Sequence, residues 1–259
     1  MSKPILHTSN LSIGYKVKQQ KIGIAENLNL NFSQGKLITL IGANGIGKST
    51  LLRTLTGIQK PLTGEVFLNE RHLNSYSSLE LAQNLSIVLT EHLPPSNLTV
   101  FELVALGRQP YTNWIGTLTD EDRQIIHQAM ELTQVQAFAS KKHYEISDGQ
   151  LQKVLIARAL AQDTPLIILD EPTTHLDLVH KVKLFKLLKK LSHETRKCIL
   201  FSTHDVDLAI QLSDEMIVMT SEKVVQDEPC KLIADGTLNS LFKDDSIHFD
   251  PNRGKFIIG

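Results

Sequence analysis

Residues 42–50, GANGIGKST, place glycines, a lysine and two hydroxyl side chains at the spacing G-x-x-x-x-G-K-[ST]. The glycines let such a loop wrap around phosphate groups with its backbone N–H groups pointing inward, and a following helix adds its positive N-terminal end. The alternative is a chance glycine-rich turn between a strand and a helix. We expect Lys48 to reach the β- and γ-phosphates and the Ser49 hydroxyl to ligate Mg²⁺. The predicted nucleotide-binding residues of this loop are Gly42, Ala43, Asn44, Gly45, Ile46, Gly47, Lys48, Ser49 and Thr50.

Two acids end a second apolar run, LIILDEP, residues 166–172. Asp170, at the end of the predicted strand, is placed to hold Mg²⁺ directly or through water. Glu171 points elsewhere and could polarise an attacking water. An acidic junction between a strand and a loop is common in α/β proteins, so the acids alone indicate little. Combined with the phosphate loop, they indicate metal-assisted nucleotide hydrolysis.

The stretch ISDGQLQK, residues 146–153, precedes a helical pattern. Ser147 and Gln150 have the S-x-x-Q spacing of a capping box. Asp148 would stand in the first helical turn, where a negative charge favours the helix dipole. This local interpretation accounts for Ser147, Asp148 and Gln150.

The elements that would position these residues alternate between short β-rich runs and helical patterns, which predicts an α/β core with a largely parallel sheet. Alternating apolar and polar residues over 5–15 and 28–33 predict a small antiparallel sheet with one wet face. Thr119 and Asp122 form a capping-box pattern ahead of a helix. The clearest predicted strands are residues 36–41, 85–89, 166–170, 198–203 and 215–220, and helices are predicted at 48–56 and 178–191.

Strand signals are absent between about residues 91 and 160, a stretch that begins with HLPPSNLT and continues with a helical pattern. We therefore predict one domain over 1–259, in which residues 1–90 and 162–259 form the α/β core with the antiparallel β-subdomain. Residues 91–161 would form an inserted helical subdomain.

The composition is that of an ordinary soluble globular protein, with 41% hydrophobic and 21% charged residues and a formal net charge of −1. That balance gives no reason to expect nucleic acid as a partner, nor electrostatic binding to a membrane. Cys198 and Cys230 make neither a metal spacing nor a disulfide framework, which fits a reduced, cytosolic compartment. Neither a signal peptide nor an apolar run of roughly 20 residues is apparent, so any membrane role would require a partner.

The order of GANGIGKST, ISDGQLQKVLIARAL, LIILDEPTTHLDL and FSTHD resembles that of an ABC-type ATPase over nearly the whole chain. The resemblance implies a P-loop NTPase cassette that binds ATP and Mg²⁺, hydrolyses ATP, and dimerises head to tail with a second copy. It assigns Ser147, Gly149 and Gln150 to a signature that meets the partner's γ-phosphate, which would explain a glycine at 149. It also implies that His204 contacts the γ-phosphate and helps hold the attacking water, and that Asp177 lies at the dimer interface. As an isolated residue, a histidine is more often a structural hydrogen-bonding group.

Tyr15 matches the family's aromatic residue that stacks on adenine, although an aromatic at a strand end is usually part of a core. Glu91 departs from the family pattern, which has glutamine at the junction with the helical subdomain. A carboxylate can still ligate Mg²⁺, but it cannot donate hydrogen bonds and it adds negative charge near a triphosphate. We expect Glu91, Ser49 and Asp170 to ligate Mg²⁺, directly or through water.

Residues 97–111 and 204–219 resemble importers of iron-siderophores, haem and cobalamin. The resemblance implies a peripheral ATPase subunit at the cytoplasmic face of the inner membrane. Its partners would be a second copy, a permease dimer and, indirectly, a substrate-binding protein. The chain has ten histidines and none form a ligand cluster, so we expect no contact with the cargo.

An ABC cassette that serves an exporter or another non-iron transporter is the main alternative, because only residues 97–111 argue against it. Soluble ABC ATPases of DNA repair or translation would need coiled-coil insertions or a second cassette. A small P-loop kinase would leave the signature and STHD unexplained.

Overall fold

The computed structural model describes residues 3–18, 20–89, 96–174, 176–241, 247–250 and 255–258. The strands are β1 (Leu6–Val17), β2 (Gln20–Leu28), β3 (Asn31–Phe32), β4 (Leu37–Gly42), β5 (Thr63–Leu68), β6 (Arg71–His72), β7 (Leu85–Val88), β8 (Leu166–Leu169), β9 (Cys198–Ser202), β10 (Glu215–Met219), β11 (Val224–Asp227), β12 (Ile247–Asp250) and β13 (Lys255–Ile258). The α-helices are α1 (Lys48–Leu55), α2 (Ser78–Ala82), α3 (Val100–Ala105), α4 (Asp120–Leu132), α5 (Asp148–Ala161), α6 (Leu178–Thr195), α7 (Val206–Leu212) and α8 (Pro229–Ala234).

The central sheet has the strand order β11-β10-β4-β9-β8-β7. Strands β10, β4, β9, β8 and β7 pair in parallel, and β11 is antiparallel at one edge. These parallel strands are nearly continuous apolar runs because both faces of the sheet are covered. In β8, Ile167 and Leu169 enter one hydrophobic core, whereas Leu166 and Ile168 enter the other. The predicted α/β fold with a mostly parallel sheet is confirmed, and it brings the carboxyl ends of β4, β8 and β9 to one edge.

A second, antiparallel sheet has the order β2-β1-β5-β6, with β3 also pairing with β1. The predicted antiparallel N-terminal sheet is thus present, and residues 28–33 contribute to two of its strands. Asn27 has a left-handed backbone with φ 56, and the segment divides into the end of β2 and the short β3. Asn29 accepts a hydrogen bond from the Asn10 backbone N–H at 2.9 Å instead of continuing a ladder.

The helices that lie between β7 and β8 share their hydrophobic core with one face of the central sheet. Helix α5 contacts α3, α4 and β7, so the helical part and the sheet are joined through it. The predicted capping box of Thr119 and Asp122 begins α4 as expected. Helix α6 runs to Thr195, one turn beyond the predicted end. The boundaries proposed for a helical subdomain at 91 and 161 remain a prediction.

Within the described ranges, no helix is both long enough and apolar enough to cross a membrane.

The other face of the central sheet packs against α1 and the antiparallel sheet. The loop between β4 and α1 therefore lies where the two sheets meet.

Candidate nucleotide site

The loop of residues 42–47 leaves β4 and enters α1, as the motif predicts. Gly47 is the N-cap residue of α1 with φ 110, and no side chain caps the helix, so its first N–H groups are not used by a capping side chain. A Cβ atom on Gly47 would lie 2.4 Å from Ile24 Cγ2 of β2. Only glycine suits this position. Any other residue would be strained in the left-handed backbone conformation, and its side chain would clash with the neighbouring sheet.

Lys48 is the first residue of α1 and is only 5% exposed, and its side chain folds back into the loop. Its ammonium group donates to the carbonyl oxygens of Gly42 at 3.0 Å and Ala43 at 3.3 Å. Burial lowers the pKa of Lys48, while the nearby carboxylates of Glu171 and Asp170 oppose that change. The loop thus holds a cation at its centre, within electrostatic reach of both acids.

The acids that follow β8 meet the end of β9. Asp170 is 8% exposed, and its backbone N–H donates to the Val88 carbonyl at 2.8 Å. Glu171 is more accessible, and its Oε1 lies 2.8 Å from His204 Nε2. A cleft of about 240 Å³ beside this pair is lined by Gly42, Ala43, Asn44, Thr203, His204, Val206 and Leu241. The structure therefore brings His204 and Glu171 together at one edge of the phosphate loop.

Asp170 and Ser49 carry the oxygen atoms that are predicted to ligate a magnesium ion. Asp170 is a nearly buried carboxylate, and Ser49 is an exposed hydroxyl in the first turn of α1. In the part of the chain that the structure describes, no three His, Cys, Asp or Glu side chains group into a metal site of their own. This sparse, all-oxygen set fits Mg²⁺, which keeps several waters and takes its remaining ligands from substrate phosphates.

The signature stretch begins α5 with Ser147 as the N-cap residue, and the predicted capping box with Gln150 is confirmed. Asp148 is exposed in the first turn. The side-chain atoms nearest to Gly149 belong to Leu176 and His180, at the start of α6. They would lie 3.5 and 3.6 Å from a Cβ atom, which is ordinary van der Waals contact. Among the described residues, nothing around Gly149 therefore requires a glycine.

Asp177 is the N-cap residue of α6, and its Oδ1 accepts from the His180 backbone N–H at 2.8 Å. The same oxygen lies 2.8 Å from His180 Nδ1. The sequence did not suggest this capping role. His180 also lies next to Gly149, so this contact places Asp177 near the signature stretch. Asp177 remains accessible in the single chain, with 66% of its side chain exposed.

Tyr15 lies on β1 opposite Ile22 of β2, with 48% of its surface exposed. It belongs to the core of neither sheet, contrary to the usual place of an aromatic at a strand end. The same strand pair carries Ile24, which packs against Gly47.

Glu91, the predicted metal contact at the junction, lies outside the described residues.

Sequence reasoning missed Ser202, the last residue of β9, which is fully buried. Its hydroxyl donates to Asp170 Oδ1 at 2.7 Å and accepts from the Glu171 backbone N–H at 2.8 Å. A related contact joins the Thr173 and Thr203 hydroxyls at 3.2 Å. The only available signal was the run of hydroxyl residues in FSTHD, which does not show which strand the hydroxyls face.

The chain is similar to known proteins in both sequence and fold. The family profile described as ABC transporter matches residues 25–174. The iron(3+)-hydroxamate import ATP-binding protein FhuC of Bacillus subtilis is 39% identical over 96% of this chain and 92% of its own length. The achromobactin transport ATP-binding protein CbrD of Dickeya dadantii is 36% identical over 91% of this chain and 86% of its own length.

Among solved structures, the dimeric bacterial ABC transporter cassette MJ0796 superposes with a TM-score of 0.73. It is 29% identical, and the alignment covers 86% of this chain and 98% of that cassette. The same cassette has been solved as a dimer in a post-hydrolysis state bound to ADP and Pi.

Proposed function

Because the chain belongs to the ABC transporter family, we propose that it couples its ATPase activity to import of a ferric siderophore through a membrane permease. It is an ATP-binding, ATP-hydrolysing subunit, as family membership and its likeness to the dimeric cassette show. The cargo and the permease belong to the proposal. The observation that carries the proposed site is the convergence of Lys48, Asp170, Glu171 and His204 at one edge of the parallel sheet.

In the proposed mechanism, the triphosphate of ATP binds along residues 42–50 and adenine stacks on the exposed ring of Tyr15. The backbone N–H groups at the start of α1 bind phosphate oxygens. Lys48 exchanges its contacts with the loop carbonyls for the β- and γ-phosphates. Ser49 and Asp170, with Glu91 at the junction, would hold Mg²⁺, which would offset the negative charge of the triphosphate.

Glu171 is the proposed general base, which accepts a proton from the attacking water. His204 holds the water and the γ-phosphate in place, and its 2.8 Å contact with Glu171 aligns the two side chains. The oxygen of the attacking water approaches the γ-phosphorus in line with the β-phosphate oxygen that leaves. The N–H groups of the loop and the Lys48 ammonium stabilise the negative charge that develops on the transferred phosphoryl group.

The second half of each site would come from another copy of the chain. Ser147, Gly149 and Gln150 of one cassette would close on the γ-phosphate bound to its partner, with Asp177 at the interface. Packing against the residues that the structure describes does not need a glycine at 149, which supports a role for its bare surface in meeting the partner's nucleotide. Closure and reopening of the dimer would then move the helices that dock the permease.

The import direction is supported by FhuC, an iron(3+)-hydroxamate import protein, whereas CbrD is described as an achromobactin transport protein. This support is an analogy from family to function. The proposed partners are a second copy, an integral-membrane permease dimer and, indirectly, a substrate-binding protein, and the chain would act at the cytoplasmic face of the cell membrane. Export of another compound is the competing function.

The experiment that tests this function is uptake of ⁵⁵Fe-loaded siderophores by cells that lack the gene. Ferric hydroxamates and ferric catecholates would be compared with haem and cobalamin as separate substrates. We expect uptake of one iron chelate to be lost, restored by the wild-type chain, and not restored by Lys48→Ala. Lys186→Ala serves as the complementation control. It changes a lysine of α6, which lies far from the phosphate loop in the sequence.

Normal uptake of all four substrates in the deletion strain, together with a change in efflux of another compound, would favour the exporter. Recovery of the permease with the tagged chain from detergent-solubilised membranes provides a second measurement. Its absence from such preparations, with uptake unaffected, would contradict the import proposal.

A further inference from the structure

The hydroxyl of Ser202 links the two proposed functional acids. Ser202 ends β9 in the middle of the central sheet, and its relative exposure is 0%. Because Leu169 of β8 lies in register with Phe201 of β9, the next residues along the two strands, Asp170 and Ser202, are brought side by side. One oxygen atom therefore donates to the Asp170 carboxylate at 2.7 Å and accepts from the Glu171 N–H at 2.8 Å.

The backbone at Glu171 gives this second hydrogen bond a specific consequence. Glu171 has φ 48, in the left-handed region that non-glycine residues rarely adopt because it is strained. Its N–H group donates to Ser202 while its carboxylate reaches His204 Nε2 at 2.8 Å. A change in this backbone conformation would redirect the carboxylate away from the histidine.

We propose that Ser202 is a positioning residue for ATP hydrolysis, which acts through Asp170 and Glu171 without contacting the nucleotide. Its hydroxyl orients the Asp170 carboxylate and holds Glu171 in the left-handed backbone conformation from which its side chain meets His204. The inference rests on the proposed roles of Asp170 and Glu171. Loss of the hydroxyl removes the donor to a buried carboxylate and leaves a backbone N–H without its acceptor, so the geometry of both acids changes together.

The test compares Ser202→Thr with Ser202→Val, two side chains of nearly the same shape that differ in the hydroxyl, alongside Ser202→Ala. Ser86→Ala is the matched control, because Ser86 is a buried serine of β7 in the same sheet whose hydroxyl pairs with Thr164 at 3.1 Å. For each purified full chain, ATPase kcat and KM and the Mg²⁺ concentration at half-maximal rate would be measured. Hydrogen exchange of the Glu171 amide would be followed by NMR without nucleotide.

We expect Ser202→Ala and Ser202→Val to lower kcat by about 10- to 100-fold, with the KM for ATP changed by less than about threefold. The half-saturating Mg²⁺ concentration should rise, and the Glu171 amide should exchange at least about 10-fold faster. Ser202→Thr should recover most of the rate and the amide protection. Ser86→Ala should match the wild type in all four measurements.

Unchanged kcat and unchanged Glu171 amide exchange in Ser202→Val would overturn the inference. Equal losses in the Thr and Val variants would also overturn it, because the effect would then come from side-chain size. If Glu171→Gln hydrolyses ATP normally, the proposed role of Glu171 fails instead. The amide exchange distinguishes these failures, since it reports the Ser202 contact whether or not Glu171 is the base.

Discussion

His204 Nε2 and Glu171 Oε1 lie 2.8 Å apart, although 33 residues separate them in the sequence. Glu171 follows β8 and His204 follows β9, and these strands are parallel neighbours. Both side chains remain partly accessible, with 43% of the His204 side chain and 26% of the Glu171 side chain exposed. The pair is thus held by the sheet beneath it and remains open to a substrate above it.

Glu171→Gln should abolish turnover while ATP still binds, because glutamine keeps the shape of the side chain but cannot accept the proton of the attacking water. We expect kcat to fall by about 10²- to 10⁴-fold. A closed, ATP-bound dimer should accumulate and elute earlier than the ADP-bound protein in size-exclusion chromatography. Glu131→Gln, at an exposed position of α4, is the control. A monomer with normal turnover in ATP would refute the proposed mechanism.

His204→Ala should lower kcat, and its effect should not add to that of Glu171→Gln. Because the two side chains are in direct contact, we expect the double variant to be about as slow as the slower single variant. The measurement is a double-mutant cycle on kcat under saturating ATP. Two fully additive losses would show that the residues act independently, and His127→Ala, at an exposed histidine of α4, should have no effect.

Gly149→Asp should nearly abolish ATPase activity, whereas Asp148→Gly should change it little. Gly149 has room for a Cβ atom within its own chain, so the aspartate should not prevent folding. Its charge would instead oppose the γ-phosphate of the partner's nucleotide. Steady-state ATPase assays and thermal unfolding of both variants check this. A large loss of activity in Asp148→Gly, or normal activity in Gly149→Asp, would refute the proposed arrangement.

Asp122→Asn should destabilise the fold by about 3 kcal/mol, because it removes one charge of a buried ion pair. Arg108 Nε donates to Asp122 Oδ1 at 2.8 Å, and the two residues are only 6% and 4% exposed. Arg108 also donates to the Ala161 carbonyl at 3.0 Å, which joins residues 106–111 to α4 and α5. Urea unfolding at neutral pH measures the loss, with Asp120→Asn as the control for a charge in the same first turn.

The same pair predicts a dependence of stability on pH. Burial acts to raise the pKa of Asp122, but hydrogen bonds from Thr119 and Arg108 outweigh it and hold the pKa below 3.8. The unfolded state therefore takes up this proton first as the pH falls. The contribution of Asp122 is fully present above pH 3.8 and is lost as the pH falls through the lower folded value. In Asp122→Asn this part of the acid destabilisation should disappear, and an unchanged acid profile would contradict it.

The sequence by itself determined the site's chemical groups and the elements that carry them. A phosphate loop is local, because its glycines, lysine and hydroxyls act within nine consecutive residues between one strand and one helix. The parallel sheet was predicted because short apolar, β-rich runs alternate with helical patterns along the chain. Capping boxes at Thr119 and Ser147 were equally readable, since each depends on two residues three positions apart.

Only the tertiary structure decided which residues meet across strands. No spacing within FSTHD indicates that Ser202 binds both Asp170 and the Glu171 backbone, because strand order and register are set by packing of the whole sheet. The same reason applies to Gly149, whose neighbours Leu176 and His180 come from a distant segment. Motifs name the groups that can perform the chemistry, whereas long-range packing fixes the distances between them.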